Sequence, residues 1–155
     1  MSFGPLKNQT KPLSGIEVLD LAVLKTCLTG TSEVTAAYLF GSAAKNESVV
    51  NDLDILVLLR PDIHNHDVYF DLTHKLNKAL GVSEDRIDLL FFDIDEADPM
   101  VLYDAVKRGV LLKNSDPNKL ADSIDALSRY FLENEPMIER ARHLRRDRVE
   151  DFCAN

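Results

Sequence analysis

Two aspartates, Asp52 and Asp54, stand two residues apart at the start of a strongly apolar segment, residues 53–59. Residues two apart on a β-strand point to the same face of a sheet, so a strand here brings the two carboxylates together. Neighbouring carboxylates repel each other and lose hydration unless a cation or hydrogen-bond donors compensate. Oxygen ligands of this kind suit Mg²⁺ or Mn²⁺. The pair therefore predicts a divalent metal site, and a turn or cap role is the alternative.

A third carboxylate, Asp88, lies inside another apolar segment, residues 86–92. If this segment forms a strand beside residues 53–59, Asp88 completes a trio of carboxylates. Three carboxylates fit a two-metal site, which promotes in-line phosphoryl or nucleotidyl transfer. Asp88 is also a candidate for accepting the proton of an attacking hydroxyl. The alternative is an ion pair between Asp88 and Arg86 or a neighbouring helix.

The dipeptide Gly41-Ser42 follows a third segment rich in strand-forming residues, Val34–Phe40. Glycine at the resulting turn lets the backbone approach a phosphate group closely, and the Ser42 hydroxyl and nearby N–H groups become donors. The sequence contains no Walker loop, so the phosphates would depend on metal ions more than on a lysine. Lys45 is the nearest basic candidate.

Taken together, Gly41-Ser42, Asp52-Leu53-Asp54 and Asp88 resemble the signature of the nucleotidyltransferase superfamily. That signature is Gly-Ser, a short segment, Asp-x-Asp on the following strand, and a later third carboxylate. The resemblance covers residues 15–113. The small size of the chain is similar to that of the minimal nucleotidyltransferases, the antitoxin partners of HEPN-domain toxins. Residues 106–112 also resemble the segment that follows the helix after the third strand in that group.

The resemblance implies Mg²⁺-dependent transfer of AMP from ATP to a tyrosine of a HEPN toxin. It places Gly41, Ser42 and Lys45 on the nucleotide, Asp52 and Asp54 on the metal, and Asp88 on the metal or as the base. The sequence has Lys45-Asn46 where Arg-Gly is common in the group. Two alternatives are an antitoxin that neutralises its partner by forming a complex, and transfer to a small molecule such as an aminoglycoside.

The elements that must position these residues form an α/β (α+β) pattern, a small mixed sheet flanked by helices with extra C-terminal helices. The predicted strands are 34–40, 53–59, 86–92 and a short one at 109–113, and the predicted helices are 16–28, 67–80, 98–108 and 115–132. Gly30 and Gly81 are predicted to end helices, and Pro136 to divide two C-terminal helices. We expect an N-terminal arm (1–14), a nucleotidyltransferase domain (15–113) and a helical extension (114–155).

Composition excludes several other classes of protein. Among 155 residues, 26 are Asp or Glu and 18 are Lys or Arg, a formal charge of -8 that disfavours nucleic acid as a partner. The two cysteines, Cys27 and Cys153, are far apart and predict neither a disulfide framework nor a zinc ribbon. No apolar run has the length of a membrane span or a signal peptide. We therefore expect a cytoplasmic protein with no membrane association.

Several remaining features have plain structural interpretations. Three histidines are predicted to be solvated, namely His64 and His66 in a loop, and His74. Asp93 and Asp95 are predicted to cap a helix or to form a turn. Tyr38 and Phe40 are predicted core residues, and an aromatic beside the Gly-Ser turn is also a candidate for lining an adenine pocket. An arginine-rich C-terminal stretch, residues 140–148, carries an apolar stripe that would dock on the core, on a second copy of the chain or on the toxin.

Overall fold

The computed structural model describes residues 19–41, 44, 52–137 and 139–140. In chain order the elements are α1 (Leu21–Thr29), β1 (Val34–Phe40), β2 (Leu53–Leu59), α2 (Asn65–Leu80), a 3₁₀ turn (Glu84–Arg86), β3 (Ile87–Phe91), α3 (Pro99–Arg108), β4 (Val110–Asn114) and α4 (Pro117–Glu133). The predicted arm at 1–14, Ser42, Lys45 and the arginines of residues 142–148 lie outside the described residues.

The four strands form one mixed sheet in the order β3-β2-β1-β4. β1 pairs antiparallel with β2 and with β4, whereas β2 pairs parallel with β3. The predicted α/β class and mixed sheet are therefore confirmed. The parallel pair is the one that matters for the site, because it brings the strand of Asp88 beside the strand of Asp54.

Alternation along β2 divides its side chains between two faces of the sheet. On one face, Leu53, Ile55 and Val57 join a core cluster built with the apolar sides of α1 and α2, which contribute Leu24, Leu28, Leu72, Leu76 and Leu80. On the other face lie Asp54, Leu56 and Leu58. Helix α3 contacts β1 and buries Leu102 and Ala105. Helices thus cover a sheet whose single polar position along β2 is Asp54.

Local capping explains where the helices begin and end. The Asp20 carboxylate accepts hydrogen bonds from the N–H groups of Ala22 and Val23 at the start of α1. The Asp98 carboxylate does the same for Met100 at the start of α3, and Pro99 follows it at the first helical position. Gly81 ends α2 in the left-handed conformation, with φ of 72°. The prediction of a loop at His66 is wrong, because His64 occupies the N-cap of α2 and His66 lies in its first turn.

The chain divides into two compact units between Leu120 and Ala121, and α4 spans that boundary. Beyond α4 the chain turns at Asn134 and is helical again at 135–137 and 139–140. The division predicted at Pro136 therefore falls two residues earlier, and Pro136 sits in the first turn of the second helical stretch. Among the described helices, none combines the length and the apolar character that crossing a membrane requires.

Candidate active site

The register of the parallel strands places Asp54 and Asp88 directly beside each other. Asp52 precedes the first residue of β2 and is exposed, Asp54 is half-buried, and Asp88 is exposed on β3. Among the described strands, β3 is at an edge of the sheet, and Asp88 is exposed there. The structure thus confirms the predicted neighbourhood of the two strands, and their register puts Asp54 and Asp88 on one face of the sheet.

The pKa of Asp54 reflects the nearby carboxylates of Asp88 and Asp52. The pKa of Asp54 is raised from 3.8 to about 6, first by burial, then by the negative charges of Asp88 and Asp52, and last by a hydrogen bond with Asp88. All four causes favour the protonated form of Asp54. In the absence of a cation, Asp54 is therefore half-protonated near pH 6.

The donor set at this position consists of carboxylate oxygens, which are the ligands that Mg²⁺ and Mn²⁺ prefer. Within the described residues, no group of three or more His, Cys, Asp or Glu side chains is spaced to hold a metal ion. Magnesium is usually held by one or two carboxylates, with substrate phosphates and waters completing its shell. The adjacent Asp54 and Asp88 fit that arrangement, since a divalent cation would relieve the repulsion that raises the pKa of Asp54.

Gly41 lies against the carboxylate of Asp54, immediately after the last residue of β1. Its φ is 71°, and a Cβ at this position would overlap Oδ2 of Asp54 and stand 3.2 Å from its Cγ. Only glycine meets both conditions. The turn therefore lets the main chain pass directly over the carboxylate, and the approach of Gly41 to a phosphate stays a prediction. Ser42 and Lys45 lie outside the described residues and stay predictions.

A cavity of about 230 Å³ opens beside this turn, lined by Phe40, Gly41, Ala44, Val101, Asp104 and Arg108. Phe40 is opposite Asp54 in the antiparallel pair of β1 and β2, so the two side chains share one face of the sheet. Phe40 was predicted as a core residue, with lining of a pocket as the alternative, and it is half-buried and lines this cavity. Sequence reasoning missed Asp104 and Arg108. Their spacing of four residues on α3 was the available signal, because it puts both side chains on one helical face.

The remaining candidates behave as structural residues. Tyr38 is buried, as predicted for a core residue. The Asp93 carboxylate accepts a hydrogen bond from the N–H of Asp95, which is the predicted turn role. His64, His66 and His74 are exposed, as predicted.

The family model described as polymerase beta, nucleotidyltransferase matches residues 23–118. This range is well over half of the chain and contains the sheet, the Gly41 turn and all three aspartates. The chain therefore belongs to the polymerase beta-type nucleotidyltransferase family. None of the curated protein sequences matches the chain.

Solved structures of toxin–antitoxin pairs contain chains with the same fold. One is a variant of the pair MntA-HpeT, 21% identical with a TM-score of 0.57, covering 80% of this chain and 98% of the other. A second, a toxin–antitoxin with AMP-PNP, is 22% identical with a TM-score of 0.57 and covers 79% and 98%. A third is a tri-AMPylated Shewanella oneidensis HEPN toxin in complex with MNT antitoxin, 21% identical with a TM-score of 0.52, covering 78% and 94%.

Proposed function

We propose that this protein is a minimal nucleotidyltransferase antitoxin that transfers AMP from ATP to a tyrosine hydroxyl of a HEPN-domain partner. The observation that carries the proposal is the side-by-side placement of Asp54 and Asp88 next to the Gly41 turn. A glycine turn and paired carboxylates at the ends of adjacent strands are what binding a triphosphate and a divalent cation requires. Membership of the nucleotidyltransferase family supports this reading of the site.

Each residue has a distinct role in the proposed reaction. Asp52 and Asp54 hold the divalent cation, Mg²⁺ or Mn²⁺, and Gly41, Ser42 and Lys45 contact the phosphates. A bound cation would neutralise the triphosphate and lower the pKa of the attacking hydroxyl. The acceptor oxygen attacks the α-phosphorus, the bond to the β-phosphate oxygen breaks, and pyrophosphate leaves. Asp88 accepts the proton of the acceptor hydroxyl or ligates the cation.

The partner is proposed from two observations. Chains of similar fold occur in toxin–antitoxin complexes, and one of those complexes contains an AMPylated HEPN toxin. Asp88 lies on an edge strand, so the acceptor can approach it without passing through the sheet. A protein acceptor needs that access because its tyrosine arrives attached to a bulky surface. The proposed location is the cytoplasm, where ATP is available and the free thiol of Cys27 stays reduced.

The direct test is transfer of labelled AMP from ATP to a HEPN-domain partner by wild type, Asp54→Asn and Asp88→Asn. Each substitution preserves shape while removing a charge that stabilises the cation and the transition state. We expect the transfer rate to fall by at least about 100-fold, the effect of losing one such stabilising group. Asp122→Asn, an exposed aspartate on α4, is the matched control and should transfer at the wild-type rate. Wild-type transfer by both site variants would exclude the proposed chemistry.

The second candidate is an antitoxin that works by complex formation alone. It is motivated by Lys45-Asn46, which stands where Arg-Gly is common in the group that the chain resembles, and by the arginine-rich C-terminal stretch, residues 140–148. In that case the double variant Asp52→Asn, Asp54→Asn would still protect cells from the toxin. Loss of protection in the double variant, with partner binding retained, would favour the enzyme.

A further inference from the structure

We propose that a groove between α1 and α2 binds a small amphipathic anion, a carboxylate attached to an apolar chain. The groove has a volume of about 670 Å³. It has an apolar part, formed by both helices, and a cationic part, formed by α2. The lining residues that matter for the ligand are Ala22, Val23 and Cys27 of α1 and Lys75, Lys78 and Ala79 of α2.

The groove is separate from the candidate active site. Helices α1 and α2 pack on the face of the sheet that carries Leu53, Ile55 and Val57, whereas the side chain of Asp54 lies on the opposite face. A ligand in the groove therefore occupies neither the place of the nucleotide nor that of the acceptor. Binding of this ligand does not depend on AMP transfer.

The volume of the groove suits a small molecule. Pockets that hold small ligands have volumes of roughly 300–1,000 Å³, and this groove lies within that range. Lysine side chains often lay their aliphatic stems along apolar surface and cover it. Here the groove keeps its volume with the side chains of Lys75 and Lys78 in place, so their stems do not fill it.

The floor and walls of the groove are largely apolar. Cys27 is half-buried, and burial raises the pKa of its thiol, so the thiol is neutral at physiological pH and behaves as a small apolar group. Ala22, Val23 and Ala79 add methyl groups from the two helices. The Thr26 hydroxyl donates to the carbonyl oxygen of Ala22 at 2.9 Å. An apolar chain in the groove therefore leaves none of these groups without a partner.

The fixed charges along the groove are positive, although the whole chain has a formal charge of -8. Of the described residues that line it, Lys75 and Lys78 carry such charges and none is a carboxylate. The two lysines are three residues apart on α2, so their side chains lie on one helical face. One carboxylate has two oxygens and can accept from both ammonium groups. The groove thus combines an apolar surface with a cationic end, which is the complement of an amphipathic anion.

Each lysine also has an interaction that needs no ligand. Nζ of Lys75 is 3.4 Å from a carboxylate oxygen of Asp71, and this exposed pair contributes little to stability. Lys78 is in the last turn of α2, where the helix dipole favours a cation. However, the charge of Lys75 partly offsets the rise in the pKa of Cys27, so this ammonium group is also close to the apolar floor. Lys75 therefore faces the groove as well as Asp71.

The test uses the Cys27 thiol as a reporter in the full-length variant Cys153→Ser. The rate of Cys27 alkylation by iodoacetamide is measured with increasing decanoate, below the concentration at which decanoate forms micelles. We expect decanoate to slow alkylation in a saturable manner, because the bound chain covers the thiol. Octanoate should bind roughly threefold to tenfold more weakly, the loss expected for two partly buried methylenes. Inorganic phosphate, which has no apolar chain, should not protect the thiol.

Three further variants, made in the same background, separate the two parts of the groove. Lys78→Glu should weaken octanoate binding about fivefold and leave binding of the uncharged 1-octanol unchanged, because only the carboxylate contacts the lysine. Ala22→Trp fills the apolar part from an exposed position and should abolish protection by both molecules. Lys25→Glu is the matched control, since Lys25 is an exposed lysine of α1 that does not line the groove. It should bind octanoate as the wild type does.

Several results would overturn the proposal. They are a Cys27 alkylation rate that decanoate does not change, equal protection by decanoate and by phosphate, and equal weakening of octanoate binding in Lys78→Glu and Lys25→Glu. Protection by phosphatidylglycerol vesicles without protection by decanoate would also overturn it, by assigning the groove to a lipid surface. If Ala22→Trp fails to fold, the chain-length and charge comparisons still decide the question.

Discussion

At the scale of single residues, Asp54 occupies a position that disfavours its own charge. Its pKa in the folded chain is about 6, above the ordinary value of 3.8. Its favourable contribution to stability is therefore fully present below about pH 4 and is lost as the pH rises through 6. A shift of this size corresponds to about 3 kcal/mol at most, and solvent screening at a half-buried group reduces it to about 1 kcal/mol.

Because ionised Asp54 destabilises the fold, we expect Asp54→Asn to stabilise the metal-free protein above pH 6. In urea unfolding with a chelator, the variant should exceed the wild type by about 1 kcal/mol at pH 8 and match it at pH 4. Mg²⁺ added at pH 8 should raise the midpoint of the wild type and not that of the variant. Asp122→Asn should follow the wild type throughout. A variant that is less stable than the wild type at pH 8 would contradict the electrostatic account.

The three aspartates and Gly41 can be predicted as candidate site residues from the sequence because the patterns that indicate them are local. Charges at the start of an apolar strand and a glycine at a strand end are visible without knowing the fold. Asp104 and Arg108 could not be assigned in the same way, because a pair spaced by four residues occurs on most helices. Only the packing of α3 against β1 shows that this face of the helix borders a cavity.

At the scale of elements, the predicted bounds are most accurate for strands whose end is marked by a local signal. The predicted bounds of β1 and β2 are those observed, because Gly41 ends one strand and Arg60-Pro61 ends the other. β4 begins and ends one residue later than predicted, at Val110 and Asn114. The register irregularities of β1, between Val34 and Ala36 and between Ala37 and Tyr38, have no local signal since they depend on the partner strands.

Lys113 joins two elements, and its removal provides a test at this scale. From β4, its Nζ donates hydrogen bonds to the carbonyl oxygens of Leu28, at 3.1 Å, and Thr31, at 2.9 Å, just where α1 ends. Burial lowers the pKa of Lys113, and the charge of Glu33 partly offsets that effect. These two hydrogen bonds from Lys113 therefore connect the end of α1 to the edge strand β4.

Lys113→Met keeps the aliphatic stem and removes the donors. Each carbonyl retains one backbone donor, from Thr31 or Val34, so we expect a loss of about 1 kcal/mol in the free energy of unfolding. Chemical denaturation should show it as a lower midpoint with an unchanged slope. Lys25→Met, an exposed lysine on α1, is the control and should change stability by less than about 0.5 kcal/mol. Equal stability of the two variants would show that the hydrogen bonds of Lys113 do not stabilise the fold.

At the scale of the whole molecule, the sheet order puts one carboxylate of the candidate site, Asp88, on an edge strand. β3 and β4 are its two edges, and only β3 carries a site carboxylate. The sequence predicts that these strands exist, but strand order depends on long-range pairing that no segment specifies alone. In the proposed reaction the acceptor approaches Asp88 at the β3 edge. An enzyme and a binding antitoxin differ in what happens after contact.

An enzyme acts repeatedly, whereas a binding antitoxin is consumed by its complex. We therefore expect this protein, at one-tenth of the molar amount of a HEPN-domain partner and with ATP and Mg²⁺, to inactivate all of the toxin over time. Inactivation should persist after the antitoxin is removed, because the AMP bond is covalent. Replacing ATP by its α,β-methylene analogue, in which the bond broken by AMP transfer is a P–C bond, or wild type by Asp54→Asn, should limit inactivation to the stoichiometric fraction. Inactivation that always stops at that fraction, and reverses on removal, would assign neutralisation to the complex itself.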